Sequence, residues 1–175
     1  MDAVERAKSL FIRECWPEAA WAYEEAVIQP NTNLDVYLDL AVLYLELLDG
    51  GVAAHYHLSV EFQERAWNRF DELLDEAERE FGQETEIGFW RRYFHFIHLG
   101  EEPFPEEAGR MARAGTSLVS YFHLWMLPGG KRQYREQAQA LFEQVKDGST
   151  PRKRYIRSIL ESARDRSRIA DEDEW

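Results

Sequence analysis

The histidines are the residues in this sequence whose type and spacing are compatible with chemistry. His95 and His98 are three positions apart, which places both imidazoles on one side of a helix, where they can ligate one metal ion. His123 follows on a later helical segment and supplies a third imidazole if the two segments meet. No His-Glu-x-x-His pattern accompanies them, and histidines in helical proteins more often serve packing. A metal site of His95, His98 and His123 is therefore an alternative interpretation, and the favoured one has no metal.

Catalytic patterns are otherwise scarce. The sequence contains no Gly-x-Gly-x-x-Gly, Walker loop or Gly-x-Ser-x-Gly motif. Its one cysteine, Cys15, precedes Trp16 and Pro17, and a buried structural thiol is the commoner role for such a residue. A single cysteine also excludes an internal disulfide and a zinc site of several thiolates. The sequence thus predicts no enzymatic activity and no cofactor.

Charge is distributed unevenly along the chain. The net charge is −12, and no Lys or Arg lies between Glu14 and Glu64. Such an acidic surface repels nucleic-acid phosphates and attracts basic partners. The basic segment 131–168, with Tyr134 and Tyr155, is the one candidate for nucleic-acid binding. Its pairing with the acidic N-terminal half, within one chain or across a homodimer, is the simpler interpretation, so we expect a protein or peptide partner and no nucleic acid.

Composition indicates one globular domain. Hydrophobic residues make up 45% of the chain and charged residues 31%, which is ordinary for a folded protein. The N-terminus lacks a basic start followed by an apolar run, and no 18 consecutive residues are apolar, so we expect neither a signal peptide nor a membrane span. The prediction is a cytoplasmic domain over residues 1–170, followed by an acidic flexible tail over 171–175.

Apolar periodicity close to that of an α-helix runs through almost the whole chain, interrupted by Gly, Pro and Asn. Asn33 and Thr150 precede helical patterns as N-caps. The apolar positions Val60, Trp67 and Leu74 recur every seven residues within the longest segment, and the sequence leaves open whether that helix is continuous. The predicted helices cover residues 3–14, 17–28, 33–48, 52–81, 84–99, 105–114, 116–127, 131–146 and 151–165.

One spacing of residues recurs in several of these segments. It begins with a large residue, continues with Leu and Gly, or residues in their place, at positions +3 and +4, and ends with Tyr or another large residue at +7. The first-helix form occurs as Tyr37, Leu40, Ala41 and Tyr44, as Trp90, Tyr93, Phe94 and Ile97, and as Leu118, Tyr121, Phe122 and Trp125. A second-helix form, with a small residue, an aromatic and a later proline, occurs as Ala19, Tyr23, Ala26 and Pro30, and as Ala138, Phe142, Val145 and Pro151.

Over residues 1–150 these patterns resemble the tetratricopeptide repeat. The resemblance implies an all-α fold, a right-handed superhelix of about four helical hairpins, and the segment 151–165 is expected to be a C-terminal capping helix. The chain departs from the family in having roughly twenty extra residues between the second and third units. It also carries Phe94 and Phe122 where the family has glycine, which should widen the spacing of the helices.

Membership of that family implies a site as well as a fold. In tetratricopeptide proteins, the first helices line a concave groove that binds a peptide or a helix of a partner. Some of the corresponding side chains are also expected to pack between helices instead. The function implied is a non-catalytic adaptor or scaffold, with a metal- or small-ligand-binding protein as the alternative. The positions carried over to the groove are Leu38, Val42, Glu46, Arg91, His95, Val119 and His123.

Overall fold

The computed structural model describes residues 2–115 and 117–172, with side chains through residue 162. Every regular element in this part of the chain is a helix, which confirms the all-α prediction. The helices are α1 (Ala3–Ile12), α2 (Trp16–Val27), α3 (Leu34–Leu47), α4 (Gly50–His55), α5 (Val60–Phe81), α6 (Thr85–His98), α7 (Pro105–Ala114), α8 (Ser120–Met126), α9 (Gly130–Gln133), α10 (Arg135–Val145) and α11 (Pro151–Glu172).

Short polar side chains start several of these helices. The Asn33 Oδ1 accepts a hydrogen bond from the backbone N–H of Val36 at 3.3 Å, as its position predicts. Thr150, the other predicted cap, accepts from the backbone N–H of Arg154 through its carbonyl oxygen at 2.9 Å. Asp49 accepts from the first N–H groups of α4, so the Gly50-Gly51 pair begins a helix although the sequence predicts a break there.

The predicted helix over residues 52–81 is not continuous. It is divided into α4 and α5 by residues 56–59, where His57 adopts a left-handed backbone conformation with φ of 51°. A non-glycine residue in this region interrupts helical hydrogen bonding. The Ser59 hydroxyl then accepts from the backbone N–H of Phe62 at 3.2 Å and starts α5.

Two other predicted helices are shorter or divided in the structure. The segment predicted over 116–127 forms α8 only from Ser120, and residue 116 lies outside the described part. The segment over 131–146 is divided at Tyr134 into α9 and α10. The turn before α9 is tight, because a Cβ on Gly130 would lie 1.9 Å from the carbonyl oxygen of Leu124.

The final helix is longer than its predicted range of 151–165. It includes residues 171 and 172 of the predicted acidic tail, and residues 173–175 lie outside the described part. None of the helices described is both long and apolar enough to cross a membrane.

The helices pack largely in chain order, and α3 lies in the middle of the arrangement. Neighbours in the sequence, such as α1 with α2, α7 with α8, and α10 with α11, contact one another. Helix α3 contacts α2 and α5, and it also contacts the distant α11. As a result nearly every residue from Val36 to Leu45 is buried, including the carboxylate residue Asp39. Helix α11 therefore does more than close the last hairpin, because it returns to the N-terminal half.

Candidate functional site

Four of the residues predicted to line a groove lie in the core. Leu38, Val42 and His123 are completely buried, and Val119 is 3% exposed. The repeat pattern predicts these side chains in an open groove, whereas in the structure they lie between packed helices. Leu38 and Val42 are buried because α3 packs against α2, α5, α6 and α11. His123 of α8 is buried among the rings of Tyr93, Phe96 and Phe104.

Arg91 and His95 are partly exposed, but they face α5 and a neighbouring loop. The guanidinium of Arg91 lies 2.7 Å from Asp75 Oδ1 and 3.3 Å from Glu78 Oε2. The His95 Nδ1 lies 3.6 Å from Glu101 Oε1. These contacts form a charged seam between α6 and its surroundings that is separate from the contacts made by α11.

The three histidines do not form a metal site in the structure. His98 packs against Trp67 and Phe94, and the His123 ring stacks on Phe104 at 4.2 Å between ring centroids. No group of three or more His, Cys, Asp or Glu within the described residues is arranged to hold a metal ion. Burial lowers the pKa of His123 to about 4, so this imidazole is neutral near pH 7.

Helix α11 lies against the helices that the repeat pattern assigns as first helices. Its side chains contact the end of α1, the start of α2, and α3, α6 and α8. We call this surface the first-helix face. It is defined by Phe11, Glu14, Trp16, Asp35, Asp39, Glu46, Glu86, Trp90, Tyr93 and Phe122.

Arg152 of α11 inserts among three carboxylates of the first-helix face. Its Nη1 lies 2.8 Å from Glu86 Oε1, its Nη2 lies 2.5 Å from Asp35 Oδ1, and its Nε lies 3.7 Å from Asp39 Oδ1. The Thr150 hydroxyl also donates to Asp39 Oδ1 at 2.8 Å. Burial raises the pKa of Asp39 to about 6, although Arg152 and Thr150 both favour the ionised form. This site binds a planar guanidinium from several directions.

Arg154 occupies a second site with a different chemistry. Its guanidinium lies 4.8 Å from the centroid of the Trp16 ring and 5.6 Å from that of Phe11, and its Nη2 lies 3.3 Å from Glu14 Oε1. The Tyr56 ring packs on Trp16, and its hydroxyl donates to the Glu14 carbonyl oxygen at 2.9 Å. Aromatic rings with a nearby carboxylate form a site for a cation.

Glu46 is the predicted groove residue that does face α11. Burial raises the pKa of its carboxyl group to about 8, while Arg154 lowers it. Its Oε2 has no hydrogen-bond partner within the described residues. Near pH 7 the Glu46 carboxyl group is therefore mostly protonated, and it adds a polar group without a full charge to the first-helix face.

Aromatic contacts also fix the N-terminal part of α11. The hydroxyl groups of Tyr155 and Tyr93 lie 3.0 Å apart, and the Tyr155 ring also packs against Trp90 and Phe122. Ile156 and Leu160 follow on the buried side of α11. Helix α11 is thus fixed by two arginines, one tyrosine and an apolar stripe.

Sequence reasoning identified the helices of this face but not most of its residues. On α3, Asp35, Asp39 and Glu46 interact with side chains of α11, and Glu46 is the one of these three that was carried over from the repeat. The available signal was the spacing of carboxylates along an otherwise apolar helix, together with the basic segment that needed partners. Pairing of that segment with the acidic half within one chain was expected, and the Arg152 and Arg154 contacts confirm it.

Comparison of the chain with protein-family models, with curated proteins and with solved structures finds no match.

Proposed function

We propose that this protein is a non-catalytic interaction module, a stack of tetratricopeptide-like hairpins whose first-helix face binds a basic helix or peptide of a partner protein. One observation carries the proposal: α11, a basic helix, already lies on that face through side chains that reach α1, α2, α3, α6 and α8. The contacts made by α11 therefore indicate which side chains a partner helix needs in order to bind this face.

The helix order supports the architectural part of the proposal. Helices α1 with α2 and α3 with α5 form successive packed pairs, as hairpins of a repeat protein do. The repeated aromatic spacing places Trp90 and Tyr93 of α6, and Phe122 of α8, on the surface that contacts α11. The face combines α3, α6 and α8, whose segments carry the first-helix spacing, with the end of α1 and the start of α2.

The charge of the first-helix face determines the kind of partner. The charged side chains among its ten residues are all carboxylates, and a low-dielectric cleft lined by one sign of charge attracts the opposite sign. A partner must also replace α11, so its affinity is reduced by the free energy that holds α11 in place. We therefore propose that binding is competitive with α11.

A labelled peptide with the sequence of residues 149–162 tests the proposal. The acceptor is the full chain carrying Arg152→Ala, Arg154→Ala and Tyr155→Ala, which removes the anchors of its own α11. We expect saturable binding by fluorescence anisotropy, at least about tenfold tighter than to the unsubstituted chain, where α11 competes. Circular dichroism verifies that the acceptor is helical, and the full chain with Tyr155→Ala alone is the second acceptor if the triple variant is not.

A pair of substitutions in the acceptor distinguishes binding at the first-helix face from nonspecific attraction to an acidic protein. Glu86→Gln removes a carboxylate that contacts Arg152, and Glu106→Gln is the matched control on the exposed start of α7. We expect weaker binding with the first and unchanged binding with the second. Absence of saturable binding to both acceptors, or equal effects of the two substitutions, would show that this face is not a binding site.

A further inference from the structure

We infer that the first-helix face selects arginine over lysine at two positions of its partner that are separated by one residue and followed by tyrosine, the pattern Arg-x-Arg-Tyr. The inference rests on the proposed function and adds the identity of the side chains recognised. It follows from the two chemically different sites that Arg152 and Arg154 occupy and from the aromatic contacts of Tyr155.

The first site matches the shape of a guanidinium. Three different nitrogens of Arg152 face three different carboxylates, those of Asp35, Asp39 and Glu86. A guanidinium presents its N–H groups in a fixed planar arrangement, so one side-chain conformation of Arg152 makes all three contacts. A lysine ammonium at the same position is a compact point charge on a flexible stem and does not span carboxylates on two helices.

The second site favours arginine for another reason. The Arg154 guanidinium lies over the Trp16 ring, while one of its nitrogens still reaches Glu14. A planar and weakly hydrated cation stacks on an indole and retains in-plane hydrogen bonds, whereas an ammonium loses more hydration there.

The spacing of the two arginines follows from helix geometry. Residues two apart on a helix point about 200° apart, so Arg152 and Arg154 extend to opposite sides of α11. One reaches α3 and α6, and the other reaches the end of α1 and the start of α2. Tyr155, three residues after Arg152, projects between α6 and α8. A partner helix with this pattern is held from both sides and in one orientation.

A peptide series in the anisotropy assay tests the selectivity. Starting from the 149–162 peptide, we expect Arg152→Lys and Arg154→Lys each to weaken binding about tenfold, because each loses directed contacts without losing charge. Tyr155→Phe, which removes the hydroxyl contact with Tyr93, should weaken binding less. The matched control is Lys153→Arg, whose position faces neither site and whose exchange should leave the affinity within about twofold.

Acceptor substitutions assign each preference to its site. In the Glu86→Gln acceptor, the loss of affinity caused by Arg152→Lys in the peptide should be smaller, while the loss caused by Arg154→Lys should be unchanged. In a Glu14→Gln or Trp16→Phe acceptor, the loss caused by Arg154→Lys should be the smaller one instead. If the parent peptide binds and both lysine peptides bind equally well, the inference is wrong and the proposed function stands. If the parent peptide does not bind at all, the proposed function itself fails.

Discussion

Individual carboxyl groups on α3 make the stability of this protein depend on pH. Glu46 is the clearest case, since burial raises its pKa to about 8 from an ordinary value of 4.5. The folded chain therefore retains this proton at a pH where the unfolded chain releases it. The resulting stabilisation is complete below pH 4.5 and is lost as the pH rises through 8.

Glu46→Gln should remove this dependence, because the amide has no proton to lose. We expect the free energy of unfolding of the unsubstituted chain to fall by about 1 kcal/mol between pH 7 and pH 9 through this residue. The free energy of unfolding of the variant should not show this decrease between pH 7 and pH 9, and urea titrations at both pH values measure it. Equal changes in the two proteins would show that the Glu46 carboxyl group is already ionised at pH 7.

His123 makes the stability of the protein change with pH in the opposite direction. Its imidazole is fully buried, both ring nitrogens lack a hydrogen-bond partner within the described residues, and its pKa is lowered to about 4 from 6.5. Below pH 6.5 the unfolded chain gains a proton that the folded chain rejects. This contribution to stability is present above pH 6.5 and is lost as the pH falls toward 4.

His123→Phe keeps a ring against Phe104 and removes the titration. We expect the unsubstituted chain to lose about 2 kcal/mol between pH 7.5 and pH 5 through His123, and the variant to lose correspondingly less. Guanidinium titrations at both pH values measure the difference. The exposed His55, changed to Gln, is the control, and a pH dependence that persists in His123→Phe would contradict the assignment.

At the scale of elements, the division between α4 and α5 shows how local chemistry overrides periodicity. The seven-residue apolar repeat begins at Val60, and Ser59 directly before it is a favourable N-cap. Those two signals mark a helix start inside the predicted 52–81 segment. The left-handed conformation of His57 gives a weaker signal, since few non-glycine residues adopt that region even though histidine is enriched among them.

Ser59→Ala should destabilise the protein by about 1 kcal/mol, because the first turn of α5 loses the acceptor for the Phe62 N–H group. Thermal denaturation followed by circular dichroism measures the change. Ser158→Ala on α11 is the matched control, since Ser158 lies within a helix and bonds back to the Tyr155 carbonyl oxygen. If both variants have the same Tm, the Ser59 cap contributes nothing.

The sequence predicted the helical class, most helix positions and the caps at Asn33 and Thr150, because these depend on local periodicity and short polar side chains. On α3 the repeat spacing indicated Val42 and Glu46, which lie on the same side of the helix as Asp35 and Asp39 because residues four and seven apart share a helix face. The sequence did not predict that α11 of the same chain covers this side, because the contact joins residues 111 positions apart and leaves no local periodic signal.

At the scale of the molecule, α11 adds contacts between the N-terminal helix α3 and the later helices α6 and α8. Arg152 is central to this connection, because it contacts Asp35 and Asp39 of α3 and Glu86 of α6. The side chain of Arg152 is 15% exposed and that of Asp39 is 5% exposed, so solvent screens this ion pair weakly.

Arg152→Met should therefore lower the free energy of unfolding by about 3 kcal/mol, since it leaves the buried Asp39 carboxylate without its cation. Urea denaturation gives the value. Lys153→Met on the same turn removes only an exposed ion pair with Asp147 and should cost less than about 1 kcal/mol. Similar losses for the two variants would mean that the cluster around Arg152 contributes little.

The sequence separation between α3 and α11 has a consequence for synthesis of the chain. Asp39 and the Thr150 hydroxyl that binds it are 111 residues apart. At translation rates of about 5–20 residues per second, α3 leaves the ribosome roughly 5–20 s before α11 is made. During that interval the acidic side of α3 is uncovered, so a nascent chain presents it to any basic helix nearby before its own cover exists.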